Sequence, residues 1–172
     1  MKHIKPAALA IALIVPTTVT AQDWGGFYGG LQMGRGEFAL DGAPSSKDNF
    51  YGGFAGYNQD FGSYVLGAEV EAEKIGITIG GGTDLDSQLG VKARAGYKIG
   101  NGMLFGTVGY ASAETSNIGT GRGLTYSVGY DHAITDRVFI GAEYQRHDIS
   151  NLTGAVSDAE FDELSLRAGF RF

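Results

Sequence analysis

Charged residues at a spacing of two are the first candidates for chemistry in this chain. Glu69, Glu71 and Glu73 alternate with Val70 and Ala72, and Lys92 and Arg94 stand two apart with Lys98 further along the same segment. Asp131, Glu143, Glu163, Arg167 and Arg171 occupy the same kind of position in later segments, and Arg137 joins them, so acidic and basic members number six and six. In a strand, residues two apart share a face, so each set forms one charged face. Inside a confined space of low dielectric every such charge needs a partner. Neighbouring segments offer Glu69 to Arg94 and Glu143 to Arg167. A network of this kind either fills a lumen as a plug or exchanges partners as a gate for water and small ions.

Other residue types promise less. Arg146-His-Asp-Ile-Ser-Asn151 places His147 and Ser150 three apart. An odd separation puts them on opposite faces of one strand, where the imidazole cannot activate the hydroxyl without a bulge. The acids Asp41, Asp48, Asp84, Asp86, Glu114, Asp158, Glu160 and Asp162 fit no calcium-loop spacing and read as solvated loop charge. Gly80-Gly-Gly82 and Gly119-Thr-Gly-Arg-Gly123 precede no helix and are not phosphate cradles. With no Cys in 172 residues there is neither a disulfide framework nor a zinc–thiolate site. No cofactor is expected.

The elements that position the charges are strands. Apolar residues recur at every second position in eight segments: Trp24 to about Leu40, Asn49 to Asn58, Tyr64 to Ile79, Asp86 to Ile99, Met103 to Ala113, Gly123 to Ala133, Arg137 to Ile149, and Asp158 to Phe172. In the last, Leu164, Leu166, Ala168, Phe170 and Phe172 face one way, and Glu163, Ser165, Arg167, Gly169 and Arg171 face the other. The phase of the second segment is open, because Phe50 and Phe54 compete with Tyr51 and Tyr57. In the fifth, Leu104, Val108 and Tyr110 form the expected outer set. Tight turns at Gln59–Ser63, Gly100–Gly102 and Thr135–Asp136 alternate with longer polar connections at Asp41–Asp48, Gly80–Leu85, Glu114–Arg122 and Ser150–Ser157.

Composition limits the class. Twenty-nine Gly and nine Tyr stand beside three Pro, and the Gly residues sit inside aromatic runs such as Phe50-Tyr-Gly-Gly-Phe-Ala-Gly-Tyr57, as bends in a tight barrel require. A net charge of −6 argues against a nucleic-acid partner. Lys2 and Lys5, the apolar run Ala7–Val15 and Val19-Thr20-Ala21 read as a secretory signal cleaved before Gln22, so residues 1–21 are expected to be removed and 22–172 to form one domain. The apolar run is too short to span a bilayer.

A soluble eight-stranded barrel has an apolar inside and a polar outside. Here the charges share one face and the other is apolar and Tyr-rich all round, which in water would aggregate. The expected fold is therefore all-β: an eight-stranded antiparallel up-and-down transmembrane β-barrel, with Trp24, Tyr64, Tyr97, Tyr130 and Tyr144 as interface aromatics.

These residues resemble the small outer-membrane β-barrel proteins of Gram-negative bacteria, of the OmpA/OmpX-like and porin-like surface-antigen families. The opening Asp23-Trp-Gly-Gly-Phe-Tyr-Gly-Gly30 is similar to their first strand. Ile134-Thr-Asp-Arg-Val138, then Gly141-Ala-Glu-Tyr144 and Asp148, is similar to their last hairpin, and Phe172 matches their C-terminal aromatic. The resemblance implies a place in the outer membrane among its lipid and lipopolysaccharide, with both termini in the periplasm. It implies insertion by the barrel-assembly machinery, with Phe170 and Phe172 as the signal. Because the chain ends at the terminal strand, the family's optional C-terminal peptidoglycan-binding domain is expected to be absent, and a monomer is expected. A fainter resemblance links His147 and Ser150 to lipid A deacylase barrels. The expected role is structural or surface-exposed and non-enzymatic; a narrow pore is the second reading and a lipid-modifying enzyme the third.

Overall fold

The computed structural model describes residues 22–39, 46–79, 83–115, 119–152 and 156–172. The expected signal segment 1–21 lies outside them. Eight strands follow in chain order: β1 Gly26–Ala39, β2 Ser46–Asp60, β3 Tyr64–Ile79, β4 Thr83–Ile99, β5 Gly102–Thr115, β6 Gly119–Ala133, β7 Val138–Leu152 and β8 Val156–Arg171. Each pairs antiparallel with the next, and β8 closes on β1 in the register Tyr28 with Arg171 through Ala39 with Glu160. Closure leaves no strand edge, so every backbone ladder is satisfied without solvent. Among the described residues there is no helix.

Alternation decides which side chains go where. Leu31, Met33, Val91, Val108 and Leu166 project outward, while Glu69, Lys92, Arg94, Glu143 and Arg167 are buried inside. In β2, Phe50 and Phe54 turn inward and Tyr51 and Tyr57 outward, which resolves the phase left open by two equally apolar sets. In β5, Leu104, Val108 and Tyr110 face outward as expected, with Met103 and Phe105 inside.

The strands are longer than their apolar patterns. At 14 to 17 residues each, they exceed the ~10 that a tilted membrane crossing needs. They take in much of the expected loops: β2 begins at Ser46, β4 at Thr83 and β6 at Gly119. Ladder hydrogen bonds need no apolar side chain, so pairing runs on past the belt. Register shifts between Lys74 and Ile77 and between Leu85 and Ser87 bend the wall near this long-loop end. At the opposite, short-turn end, the β2–β3 turn is held by the Phe61 N–H on the Tyr64 carbonyl at 2.9 Å. There the Val138 N–H also meets Thr135 Oγ1 at 2.9 Å.

Candidate functional site: a charged lumen

Side chains fill the lumen in three levels. The first, at the short-turn end, is aromatic. Trp24, Tyr28, Phe54 and Phe139 pack with Val65, Met103 and Ala133 into one buried cluster, with ring centroids 5.9 to 6.2 Å apart. Trp24, expected among the interface aromatics, is thus corrected to an internal residue, 2 % exposed. It precedes β1, which starts at Gly26, so no strand pleat holds it outward. Its backbone N–H binds Asp60 Oδ2 at 2.9 Å, and the Arg171 guanidinium lies 4.4 Å over its ring.

The middle level is ionic. Arg94 reaches Glu69 at 3.1 Å and also contacts Asp131. Arg167 reaches Glu69 at 2.6 Å and contacts Glu143, with Asp131 at 3.8 Å. Lys92 Nζ is shared among Glu71 at 2.7 Å, Glu143 at 3.1 Å and Glu69 at 3.2 Å. The two expected neighbour pairs, Glu69 with Arg94 and Glu143 with Arg167, are both present. Arg94 also stacks 3.7 Å over Phe105, and Arg167 3.9 Å over Phe54. The stacking depends on bare backbone opposite: a methyl at Gly129 would collide with the Phe105 ring, and one at Gly141 with the Asp131 carboxylate.

The third level, toward the long-loop end, holds Glu73, Glu163 and His147 with the amides of Gln32, Gln88 and Gln145. Gln32 Nε2 donates to Glu73, as does Gln88 Nε2 at 3.4 Å. Gln145 Nε2 donates to Glu71 at 2.9 Å, and His147 Nε2 lies 3.1 Å from Glu163.

Three expected members leave the network. Lys98 sits at the short-turn rim, bound to Asp60 at 2.8 Å and to the Gln22 carbonyl at 3.2 Å. Arg171 donates to the backbone carbonyls of Asp23 and, at 2.8 Å, Asp136. Arg137 lies exposed in the β6–β7 turn. All three have the parity of an inner position, but parity sets the face and not the height. Among the described residues the network's own levels therefore hold six buried carboxylates against Lys92, Arg94 and Arg167, the fourth buried cation, Arg171, lying apart at the short-turn mouth.

The remaining expectations place as follows. Tyr64, Tyr97, Tyr130, Tyr144, Phe170 and Phe172 project outward, Tyr64 directly opposite Tyr97. His147 is 1 % exposed inside the barrel, while the Ser150 side chain lies outside the described residues. Of the expected loop acids only Asp162 has a described side chain; it pairs on the outer wall with Arg146 at 2.6 Å. Sequence reasoning missed Tyr28, whose hydroxyl donates to Glu69 at 2.9 Å, and also Gln32, Asp60 and Gln88. Their parity, opposite to Phe27, Leu31, Tyr57 and Leu89, was the available signal. Among the described residues no group of three or more His, Asp or Glu side chains could hold a metal ion.

Comparisons agree with this architecture. Residues 6–172 match the model of the outer membrane protein beta-barrel domain. No curated protein matches the chain in sequence. Among solved structures, Neisserial surface protein A is similar at 19 % identity and a TM-score of 0.62, over 85 % of this chain and 97 % of that one. The attachment invasion locus protein Ail of Yersinia pestis is similar at 18 % and 0.58, over 86 % and 99 %. The N-terminal β-barrel domain of Pseudomonas aeruginosa OprF is similar at 16 % and 0.54, over 86 % and 98 %. At these identities the likeness is one of fold.

Proposed function

The chain belongs to the outer membrane protein β-barrel domain family and resides in the outer membrane, and from that premise we propose that it is a sealed, non-enzymatic barrel whose work is structural or is done at its surface. One observation carries this reading. The three central cations, Lys92, Arg94 and Arg167, are 1 to 3 % exposed and bridge carboxylates across the lumen. A water-filled passage would leave these side chains wet. The aromatic level below adds a second, apolar stopper in series.

Purified protein added to a planar lipid bilayer tests the reading. A silent membrane at saturating protein is the expected result, and discrete single-channel steps would overturn it. A narrow pore is the second reading. It is favoured by Lys92 being shared among Glu69, Glu71 and Glu143, since shared partners can be exchanged.

For partners, the exposed apolar side chains of the outer wall support the following reading. Membrane lipid and lipopolysaccharide face the apolar belt, and the protein works as a monomer. Phe170, outward on β8, and Phe172, exposed just beyond its end, serve as the signal for the barrel-assembly machinery. No cofactor enters this reading.

A further inference from the structure

Buried charge in this lumen does not balance, and the imbalance is local. Lys92, Arg94 and Arg167 are all taken up by Glu69, Glu71, Asp131 and Glu143. Glu73 and Glu163, 3 % and 2 % exposed, have no Lys or Arg within ion-pair distance among the described residues. Among the described side chains, each wall contributes its own neighbours. β1 gives Gln32, β3 gives Glu71, β4 gives Gln88 and Lys92, β7 gives Glu143, Gln145 and His147, and β8 gives Ser165. From β6 comes Thr125, directly opposite His147. In β2, Gly52 stands across from Glu73 and adds no charge. The inner residues of β5, from Met103 to Ala111, include no ionisable side chain.

Atoms left over at this level point the same way. Gln32 Oε1 and Glu163 Oε1 are buried acceptors with no hydrogen-bond partner, and the Thr125 hydroxyl, fully buried, has none either. An ionised carboxylate buried without a counter-charge is strongly unfavourable, so something positive has to enter.

We propose that the long-loop half of the lumen, formed by Glu73, Glu163, His147, Gln32 and Thr125, is a chamber that takes up small monovalent positive charge, either a proton or an alkali ion. A chelated divalent metal does not fit, because no three acidic or imidazole groups converge on one point among the described residues. The loaded chamber is part of the folded state. The protein is therefore more stable when the cation is abundant, since a species bound only by the folded chain stabilises it by mass action.

The test follows thermal unfolding of the whole folded barrel in neutral detergent, by its strand signal. In N-methylglucamine chloride, lowering the pH from 9 to 6 is expected to raise the midpoint by about 3 °C or more if protons are the ligand. At pH 8 and constant ionic strength, replacing N-methylglucamine by potassium is expected to raise it if alkali ions are. In Glu73→Gln/Glu163→Gln the operative response is expected to vanish. A wild type flat in both arms overturns the proposal, as does a response that the double variant retains. Should that variant not fold, Glu163→Gln alone is expected to lose about half the response, and an undiminished response overturns the proposal.

Discussion

At the scale of single residues, the value of a charge here is set by what surrounds it. Arg167 touches three carboxylates, Glu69, Glu143 and Asp131, none in contact with water. Removing it leaves those charges uncompensated in a dry interior, which costs about 3–5 kcal/mol. Arg146 makes an equally well-formed pair with Asp162, but both side chains are 35 % exposed, and an exposed pair contributes about 0.2–1 kcal/mol. Arg167→Met is therefore expected to lower the urea midpoint of refolded protein strongly, and Arg146→Met hardly at all. Equal effects of the two would mean that the lumen is hydrated. Gly129→Ala belongs to the same scale: the added methyl displaces Phe105, the ring on which Arg94 rests. It is expected to cost about 1–3 kcal/mol, read in the same titration.

At the scale of elements, the two ends of the described chain are tied together at the short-turn rim. The Phe172 N–H binds the Phe27 carbonyl at 2.9 Å, and the Arg171 N–H binds the Arg137 carbonyl. The Arg171 side chain holds the Asp23 carbonyl and covers Trp24. The end of β8 thus has two separable parts: an inward Arg171 that packs the mouth, and, just past the strand, an outward Phe172, 80 % exposed, whose ring meets that of Phe170. Deleting Phe172 is expected to reduce the yield of assembled protein in membranes far more than the unfolding midpoint of the barrels that do form. Equal losses would reassign Phe172 to stability. Trp24→Ala is expected to do the opposite, costing about 3 kcal/mol of stability through the cavity it leaves, and so lowering the midpoint, while assembly yield holds.

At the scale of the whole molecule, the barrel is a soluble protein turned inside out. Its ion pairs are in the middle and its Leu, Val and Tyr side chains face outward in a continuous belt. Neither side could be exposed to water without cost, so the belt is stable only against lipid or detergent. A closed ladder with no free edge also resists detergent unfolding. The protein is expected to migrate differently on a denaturing gel before and after boiling, and a single band in both lanes would contradict the closed barrel in solution.

How much of this was legible beforehand follows from what a period of two encodes. It distinguishes the two faces of a strand, and so the eight strands, their antiparallel order and the placement of Glu69, Lys92, Glu143 and Arg167 inside could all be derived from the order of residues alone. It is silent where both faces are apolar, so Phe50 and Tyr51 could not be assigned until closure forced one set into the lumen. It is silent outside a strand, so Trp24 looked like a membrane-interface residue until the mouth of the barrel supplied Arg171 and Asp60 as partners. Above all it carries no height. Lys98, Arg137 and Arg171 have the parity of the lumen network but not its level, because the stagger between neighbouring strands sets which inner residues meet. Sequence by itself determined that this protein has an apolar outside and a charged inside. Only the tertiary structure decided which charges share a level, and hence that, among the described residues, Glu73 and Glu163 are buried with no Lys or Arg in ion-pair contact while Arg171 is spent at the opposite mouth.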